Sequence, residues 1–357
     1  MHVLVASDAI GALSSLRAGQ IIASGWPAAR ADVVPVGEAG AGFVTAFADQ
    51  LNVQPEISAA GAYTIMTAQR GQTAVLGITG EHPHTDLDQA AAAAAGLPLD
   101  ASSRPLGQAL AELLAGGRFH RVYLDLGGLA VHDAGAGLLA GLGATSDRPL
   151  DRGAAGLSGQ SAVDIGRAVA AVDDTELIGV VPAREIGQSL LGLRGITSLR
   201  GRAAGADSES LLRIDAALER FSALVAPDCA TQPGAGACGG MGFALLALGG
   251  RLTTGPAVAL GPSTRQADLV VTGCTMFDFA TRGGGVVAAV ADAAAAALSP
   301  CIVLAGEVLI GAREMRTMGI EAAYAVRESH LDRPEATLVG EADLAELARR
   351  VSRSWSW

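Results

Sequence analysis

The sequence predicts an α/β protein, and two observations carry that prediction. Short apolar strands recur along the 357 residues, and each is followed by a turn and then by an Ala-rich helical stretch. This order of strand, turn and helix is the repeating unit of proteins with parallel sheets. Half of the residues are hydrophobic, and the chain is long enough for one large or two ordinary domains with real cores.

The first strands and helices of this pattern lie at the amino end of the chain. HVLVAS (2–7) is predicted to be a buried strand that ends at Asp8, and a helix follows from about Ser14 to Ser24. ADVVPVG (31–37) is predicted to be the second strand. The glycine-rich GEAGAGF then leads into a helix through VTAFADQL, which completes a β-α-β-α beginning.

The same order returns later in the chain without a fixed period, so it indicates a common α/β architecture and not a repeat array. Further strands are predicted at RVYLDLGG (121–128), ADLVVTG (267–273) and CIVLAGE (301–307). Helices are predicted at 88–96, 107–116, 208–225 and 286–298, with an amphipathic helix in the tail at 341–357.

Charge and composition exclude several classes of partner. The formal net charge of −11 argues against a surface for nucleic acid or for an anionic membrane. The amino end has no signal-peptide pattern, and the longest apolar stretch (286–298) contains Asp292 and is shorter than the roughly 20 residues that span a bilayer. Four scattered cysteines without a CxxC pair predict a cytoplasmic protein, which is compatible with a homo-oligomer.

The chain contains no lysine, so all 25 of its cationic Lys and Arg positions are arginine. This has a direct consequence for any phosphate that the protein handles. Its charge must be neutralised by arginine, by backbone N–H groups, by helix N-termini or by a metal ion.

Three glycine-rich stretches are candidates for such a site. They are PVGEAGAGF (35–43), LGGLAVHDAGAG (126–137) and QPGAGACGGMG (232–242). Successive glycines let backbone amides converge on an anion, and a following helix adds its positive end. We therefore expect the backbone to approach a ligand closely at these stretches, although such turns also serve as packing devices.

Five segments of the chain resemble, in order and at similar spacing, the motifs of one protein family. SDAIGALSS corresponds to the family's PDSFKGSLSA and keeps Asp8 and Ser14, and PVGEAGAGF corresponds to PMADGGEGT. GGLAVHDAGAGLLAGLG corresponds to GGSATNDGGAGMLQALG and keeps Asp133. PGAGACGGMGFAL (233–245) matches PGAGAAGGLGFAL almost letter for letter, and TGCTMFDFAT matches TGEGRLDxQT and keeps Asp278. Over nearly its whole length the chain thus resembles the glycerate kinases of the two-domain α/β type.

This resemblance implies a fold and an activity. The fold would be two α/β domains with a cleft between them that holds the active site. One domain would be Rossmann-like and discontinuous, built from residues 1–72 and 264–357, and residues 73–263 would form the inserted domain. The activity would be the ATP-dependent phosphorylation of D-glycerate to a phosphoglycerate with Mg²⁺, so that a small organic acid and a nucleotide are the expected ligands.

The expected site residues fall into three groups. Asp8, Asp133 and Asp278 each follow a predicted strand end, where an open α/β sheet places its ligands, and they are the candidate catalytic acids. Asp278 and Asp133 are also the candidate Mg²⁺ ligands. The candidate substrate-binding residues are Ser102, Ser103, His132, Gly127 and Gly128. The candidate nucleotide- and phosphate-binding residues are Gly40, Gly42, Gly135, Gly137, Gly234, Gly236, Gly239, Gly240, Thr272 and Gly273.

Each of these polar residues also has a structural interpretation. The acids can cap turns or helix starts, and a lone histidine such as His132 at a turn is commonly a polar cap. Ser102 and Ser103 can cap the helix that is predicted to start near Leu106. Arg104 and Arg282 could replace lost lysines, but a solvated surface role is the ordinary one for arginine.

The chain differs from the family at several polar motif positions. Ile10 and Gly11 occupy the place of the lysine in the first motif. The other replacements are Ala41 for Glu, Leu129 for Ser, His132 for Asn, Cys274 for Glu, Met276 for Arg, Ala280 for Gln and Gly285 for Lys. Phosphoryl transfer depends on cations at the migrating group and on an acid that holds Mg²⁺ or orients the hydroxyl.

Two functional hypotheses therefore stay open. The first is a glycerate kinase, or a relative acting on another small hydroxy acid. The second is a catalytically impaired family member that binds a small ligand or nucleotide without phosphotransfer. A Rossmann-type dehydrogenase is the weakest alternative, because GAGACGG (234–240) approaches GxGxxG but follows a proline with no clear strand before it.

Overall fold

Two main sheets organise the computed structural model of the chain, which describes residues 1–40, 42–60, 62–79, 97–115, 119–203, 205–261, 267–326 and 339–356. The strands are β1 (His2–Ser7), β2 (Arg30–Pro35), β3 (Glu56–Ala60), β4 (Tyr63–Arg70), β5 (Thr73–Thr79), β6 (Arg121–Asp125), β7 (Thr145–Ser146), β8 (Val163–Asp164), β9 (Glu176–Val180), β10 (Arg251–Thr253), β11 (Leu269–Phe277), β12 (Cys301–Val308) and β13 (Ala322–Ala325). The mixture of parallel sheets and helices confirms the predicted α/β class.

The described helices include those predicted at VTAFADQL and near 14–24, 107–116, 208–225, 286–298 and 341–357, together with others that were not predicted. They are α1 (Ser15–Ala23), α2 (Phe43–Leu51), α3 (Arg104–Leu114), α4 (Ala136–Gly141), α5 (Gly166–Val172), α6 (Ile196–Ala203), α7 (Ser208–Val225), α8 (Pro227–Ala230), α9 (Met241–Ala247), α10 (Gly255–Leu260), α11 (Val286–Ala296), α12 (Ala312–Thr317) and α13 (Glu341–Ser352). Single 3₁₀ turns occur at Ala154–Leu157, Ala183–Glu185, Ala237–Gly240 and Phe279–Gly283. The helix expected at 88–96 lies outside the described residues.

Packing divides the chain into two compact units. The first consists of Met1–Glu38, Thr45–Asn52 and Gly255–Trp357, and the second of Ala39–Val44 and Val53–Thr254. These limits differ from the expected ones at both ends of the second unit: β3 and β4 pair antiparallel with each other and with β5 and so extend the second sheet, and the second unit ends at Thr254 and not at residue 263. The first unit is discontinuous in sequence, and the second contains most of the middle of the chain.

The first unit is built on a five-stranded parallel sheet in the order β13-β12-β11-β1-β2. Val3 and Val5 of β1 point into one apolar core, and Leu4 and Ala6 point into the other. Both faces of a parallel sheet are covered in this way, which explains why HVLVAS is continuously apolar. All five strands run in the same direction, so their carboxyl ends share one edge.

The second unit is built on a six-stranded sheet in the order β10-β9-β6-β5-β4-β3. β10, β9, β6 and β5 are parallel, and β4 and β3 add an antiparallel hairpin at one side. Its single large core contains Phe221 of α7 and Phe243 of α9, whose rings pack edge to face at 6.3 Å between centroids. Among the described helices of both units, none combines the length and apolar character needed to cross a membrane.

Candidate active site

Two carboxylates lie at the carboxyl edge of the sheet in the first unit. Asp8 follows β1 directly, and Asp278 follows β11 directly. Because β1 and β11 are neighbours in the sheet and run parallel, both residues lie at the same edge. Glu38, three residues after β2, follows the strand on the other side of β1. This edge of an open α/β sheet is where such folds place their ligands.

Asp8 is a half-buried carboxylate with one oxygen already engaged. Its Oδ1 accepts a hydrogen bond from the Ala9 amide at 2.8 Å, and its own amide donates to the Gly273 carbonyl at 3.0 Å. Among the described residues, none donates a hydrogen bond to Oδ2. Burial raises the pKa of Asp8 to about 6, which the Ala9 amide partly opposes. This pKa suits a group that exchanges a proton near neutral pH.

Asp278 is held by the turn that follows it. Its Oδ1 accepts hydrogen bonds from the Ala280 amide at 3.0 Å, the Thr281 amide at 3.2 Å and the Thr281 hydroxyl at 3.3 Å. The acid therefore caps the 3₁₀ turn Phe279–Gly283, as one of the two interpretations of this residue predicts. Within the described part of the chain its Oδ2 has no hydrogen-bond donor, so the cap leaves that oxygen available.

The charges of both Asp8 and Asp278 affect the thiol of Cys274. Burial raises the pKa of its thiol well above the ordinary value, and the negative charges of Asp8 and Asp278 raise it further. The thiol is therefore protonated and unreactive at neutral pH. Cys274 belongs to β11, which extends to Phe277 and is longer than the strand predicted at 267–273.

Thr272 and Gly273 are the two remaining candidates on β11, and both are packed against their neighbours. Thr272 is fully buried, and its hydroxyl has no hydrogen-bond partner among the described residues. A Cβ at Gly273 would lie 2.7 Å from the Ile10 Cδ1 atom and 2.8 Å from the Leu304 carbonyl oxygen. The expected phosphate contact thus finds no support here, because these positions serve the packing of β11 against its neighbours.

The oxygens at this edge fit a magnesium–nucleotide complex in their chemistry. Mg²⁺ is commonly held by one or two carboxylates together with waters and substrate phosphates, and Asp8 and Asp278 each keep one carboxylate oxygen available. Across the described residues, no group of three or more His, Cys, Asp and Glu side chains could hold a metal ion by itself. The residues thus fit a metal that arrives with its nucleotide.

The glycine-rich stretch 126–137 packs against parts of both other stretches, near Gly40 and near Gly239. A Cβ at Gly40 would lie 2.5 Å from the Gly127 carbonyl oxygen, and one at Gly127 would lie 2.7 Å from the carbonyl carbon of Ala39. A Cβ at Gly239 would lie 1.9 Å from the Val131 carbonyl oxygen, and the Ala134 amide donates to the Gly239 carbonyl at 3.1 Å. The space beside each of these glycines is therefore filled by the protein's own backbone.

This packing corrects the expectation that each glycine leaves room for a ligand. The atoms that an added Cβ would meet first are Ile78 O at Gly128, Ala244 Cβ at Gly135, Ser102 Oγ at Gly137, Leu252 Cδ1 at Gly234, Ser189 O at Gly236 and Ala134 Cα at Gly240, all within 2.6 Å. Gly42 lies in the turn before α2 and is half-buried. Glycine is required at the close contacts because any Cβ would meet backbone or a neighbouring side chain.

Asp133 is fully buried and fully engaged. Its Oδ2 accepts hydrogen bonds from the Ser103 amide and hydroxyl, both at 2.8 Å, and from the Gly137 amide at 3.2 Å. Its Oδ1 accepts from the Gly135 amide at 2.9 Å. Burial raises the pKa of Asp133, and these donors oppose that effect. With four donors and no exposed surface, this carboxylate holds the turn before α4 and has no oxygen for a metal, contrary to the expected role.

The expected substrate-binding side chains near Asp133 are also part of the interior. The Ser103 hydroxyl is buried between Asp133 and the Leu138 amide, which donates to it at 2.8 Å. The Ser102 hydroxyl accepts a hydrogen bond from the Arg104 amide at 3.2 Å. Both serines lie at the start of α3, where the Ser102 side chain binds the Arg104 amide and the Ser103 side chain forms no capping hydrogen bond to the helix.

His132 is fully buried beside α6. One ring nitrogen, Nε2, lies 3.0 Å from the Thr197 hydroxyl, and Nδ1 has no hydrogen-bond partner among the described residues. Burial lowers the pKa of His132 to about 3, and the charge of Arg200 lowers it further. The ring is neutral at physiological pH, so it cannot serve as a cation for a carboxylate substrate.

The two arginines considered as replacements for lysine are Arg104 and Arg282. Arg104 forms an ion pair with Asp151 at 2.5 Å, which agrees with its ordinary surface role. The side chain of Arg282 lies outside the described residues.

Asp125 is a buried acid that the sequence patterns did not single out. It ends β6 and is only 4 % exposed, and both of its carboxylate oxygens lie 2.9 Å from the Gly40 amide nitrogen. Its Oδ1 also accepts a hydrogen bond from the Gly127 amide at 2.9 Å. The signal that could have found it is RVYLDLGG itself, which places an acid between a buried strand and two glycines.

A second group that the sequence did not indicate joins the other two glycine-rich stretches. Arg200 of α6 donates from Nη1 to the Val131 carbonyl at 2.8 Å and lies 4.0 Å from the Glu185 carboxylate. Glu185 in turn accepts a hydrogen bond from the Cys238 amide at 2.7 Å. Each of these hydrogen bonds joins residues more than 40 positions apart in the sequence, so no local sequence pattern predicts them.

Comparisons with known proteins bear on this arrangement. The glycerate kinase family matches residues 3–356. A glycerate kinase of Bacillus cereus is 26 % identical over 99 % of this chain and 98 % of its own length, and a glycerate 2-kinase of Escherichia coli is 28 % identical over 92 % and 91 %. An uncharacterized protein of Mycobacterium bovis is 30 % identical over 92 % of this chain and 84 % of its own length. A crystal structure from Salmonella typhimurium described as a "putative glycerate kinase 2" superposes with a TM-score of 0.77 at 25 % identity, over 99 % of this chain and 98 % of that one. The chain belongs to the glycerate kinase family.

Proposed function

We propose that this protein is an ATP- and Mg²⁺-dependent kinase that phosphorylates the hydroxyl group of glycerate or of a closely related small hydroxy acid. Membership of the glycerate kinase family indicates a phosphotransferase with an alcohol acceptor. The observation that carries the proposal is the pair of acids Asp8 and Asp278 at the carboxyl edge of the parallel sheet, each with a carboxylate oxygen available.

Asp8 is the group best suited to receive the proton of the substrate hydroxyl. Its pKa of about 6 leaves it ionised at neutral pH and still basic enough to take up a proton. In the reaction the hydroxyl oxygen bonds to the γ-phosphorus of ATP, the bond from that phosphorus to the β,γ-bridging oxygen breaks, and ADP leaves with the bond electrons. The hydroxyl proton passes to Asp8.

Asp278 is the candidate ligand for Mg²⁺, and Asp8 keeps its available oxygen for the proton of the substrate hydroxyl. The ion, when bound, neutralises charge on the phosphates and orients them. Hydrogen bonds from Ala280 and Thr281 fix the Asp278 carboxylate so that its other oxygen has a defined direction. No lysine is present, so the positive charge that the phosphates need comes from arginine, backbone amides, helix N-termini or the metal ion.

The test is a coupled assay of ADP release by the full chain with ATP, Mg²⁺ and a panel of small hydroxy acids that includes D-glycerate. We expect turnover with D-glycerate, and a fall of at least about 100-fold in kcat for Asp8→Asn at an unchanged melting temperature. Asp292→Asn is the matched control, because Asp292 is an exposed acid of α11 in the same unit. Absence of turnover with every member of the panel would rule the proposal out.

The alternative, a family member that binds without phosphotransfer, is favoured by one observation. Cys274 replaces an acid of the family motif, and its buried thiol is protonated and cannot hold a metal. Calorimetry decides between the two: saturable binding of ATP or glycerate without any ADP formation would favour the non-catalytic protein.

A further inference from the structure

Asp125 is a buried acid that no step of the proposed reaction uses. It is held by amides alone: Gly40 donates to both oxygens and Gly127 donates to Oδ1, each at 2.9 Å. An ionised carboxylate in the interior is costly unless hydrogen bonds compensate for its lost hydration. Burial accordingly raises the pKa of Asp125 to about 6, and the amides of Gly40 and Gly127 oppose that rise.

The two amides belong to different glycine-rich stretches of the second unit. Gly40 has φ +82°, a backbone conformation that side chains disfavour, and it packs directly on Gly127. The chain continues from Gly40 into α2 and from Gly127 towards Asp133, so the carboxylate fixes the spacing of two turns that are far apart in sequence. Gly77 of β5 packs on the Asp125 Cβ atom from the adjacent strand, at 3.4 Å from where its own Cβ would lie.

Few titratable groups surround this carboxylate. Cys238 is the described residue whose thiol responds to the Asp125 charge, and burial keeps the pKa of that thiol well above its ordinary value. Glu185, Arg200 and Arg184 influence the pKa of Cys238, whereas the pKa of Asp125 responds to its burial and to the two glycine amides. Asp125 therefore interacts with its surroundings through the hydrogen bonds that the Gly40 and Gly127 amides donate.

We propose that Asp125 is a positioning residue of the kinase: its carboxylate clamps the amides of Gly40 and Gly127 and thereby fixes the turn that follows β2, which carries Glu38 after the strand next to β1 and Asp8. This inference rests on the proposed function. Asp125 touches no reacting atom; it acts through the two turns. In an asparagine of the same shape, an NH₂ group replaces one carboxylate oxygen and lies 2.9 Å from the Gly40 amide nitrogen, so two donors face each other and the clamp on Gly40 is weakened.

The experiment uses Asp125→Asn in the full chain, with two independent measurements. Hydrogen exchange followed by mass spectrometry reports on peptides that cover 36–44 and 122–128. We expect at least a tenfold faster exchange of their protected amides in the variant. The kinase assay reports kcat and KM separately, and we expect a fall of about 10- to 100-fold in kcat/KM, because small displacements of positioning elements cost that much. Asp147→Asn is the matched control, since Asp147 is an exposed acid of the same unit that binds the Ser161 and Ala162 amides.

The outcomes separate this inference from the proposed function. A wild-type chain without turnover overturns the proposed function and the catalytic part of this inference, while the exchange measurement still decides whether the clamp exists. An active wild type with unchanged exchange in Asp125→Asn overturns the clamp. Faster exchange with unchanged kcat and KM overturns the positioning role.

The wild-type protein provides a measurement that needs no variant, in case Asp125→Asn fails to fold. In a ¹⁵N-glycine-labelled chain, the amide protons of Gly40 and Gly127 should shift together between pH 5 and pH 8, with a midpoint near pH 6. Amide resonances of Gly40 and Gly127 that shift with different midpoints would contradict the inference.

Discussion

Two aspartates with similar sequence surroundings have different physical roles in this protein. Asp133 lies among small residues in the best-preserved motif, yet it is fully buried with four hydrogen-bond donors. Asp8 lies in a poorly preserved motif, yet it keeps a carboxylate oxygen available. A sequence shows that an acid follows a strand. It does not show how many donors meet that acid, because those donors come from elsewhere in the chain.

The first prediction concerns Asp133. We expect Asp133→Asn to lower the free energy of unfolding by at least about 2 kcal/mol, because its amide group would face buried N–H donors that then lack an acceptor. Activity should be lost in parallel with the fraction of folded protein. Urea unfolding checks this, with Asp147→Asn as the exposed control, and a fully stable but inactive Asp133→Asn protein would restore the catalytic interpretation.

The second prediction concerns His132 and pH. Its pKa is about 3 in the folded protein and near 6.5 in an unfolded chain, so the unfolded state takes up a proton first as the pH falls. The stability due to the neutral ring is complete above pH 6.5 and is lost between pH 6.5 and 3, at roughly 1.4 kcal/mol for each pH unit. Asp8 and Asp125 act in the opposite direction, because their pKa values are raised in the folded protein.

The comparison of wild type with His132→Asn isolates this effect. Urea unfolding between pH 7.5 and 4.5 should show a weaker loss of stability with acid in the variant than in the wild type. The exposed His120 supplies the control, and His120→Asn should follow the wild type. Equal acid sensitivity of His132→Asn and wild type would refute the prediction.

At the scale of elements, the glycine-rich stretches explain why so many glycines surround one acid. They allow backbone to pack on backbone where strands of the second sheet end, as at Gly40 on Gly127 and Gly239 on Val131. Ala134 and Cys238 carry positive φ angles of 52° without being glycine, and they lie in the two stretches that contact each other. The glycines are thus a property of how these turns pack together, and Asp133 and Asp125 hold the turns in place.

The third prediction belongs to this scale. A Cβ at Gly128 would lie 1.9 Å from the Ile78 carbonyl oxygen of β5, so Gly128→Ala must move backbone and should cost about 3 kcal/mol of unfolding free energy. Gly187→Ala is the control, because nothing lies within 4 Å of its Cβ position, and it should be neutral or stabilising by up to about 1 kcal/mol. Thermal unfolding of the two variants checks this, and equal melting temperatures would contradict the packing argument.

Part of the secondary structure was predictable, whereas strands such as β3, β4, β5 and β9 were not predicted. The strand HVLVAS and the helix 208–225 have the predicted limits, because apolar periodicity and the Asp207 cap are local signals. β11 was predicted too short, since TGCTMF contains a glycine and polar residues that resemble a turn. Its pairing with β12 as far as Phe277 overrides that local preference.

At the scale of the whole molecule, charge limits what the protein can bind. The chain carries a net charge of −11 and contains no lysine, so a free nucleotide polyanion meets an unfavourable long-range field. A nucleotide that brings its own Mg²⁺ carries less negative charge. Binding of ATP to this family member is therefore expected to depend strongly on the divalent cation.

The fourth prediction follows from that dependence. ATP with Mg²⁺ should raise the unfolding free energy by about 2.7 kcal/mol at a concentration 100 times its dissociation constant. Removal of Mg²⁺ with EDTA should abolish most of the effect. Differential scanning calorimetry measures this, and equal stabilisation by ATP with and without the cation would count against a magnesium–nucleotide site.

The sequence by itself determined the α/β class, the limits of elements with strong local signals such as β1 and α7, and the family, because these depend on local periodicity and on motifs that read in order along the chain. Only the tertiary structure decided which acids keep a carboxylate oxygen available and which use their oxygens to accept hydrogen bonds from buried backbone amides. The physical reason is that a carboxylate's role depends on its hydrogen-bond donors and its burial. For Asp125 and Asp133 those donors include the amides of Gly40 and Ser103, which are 85 and 30 residues away.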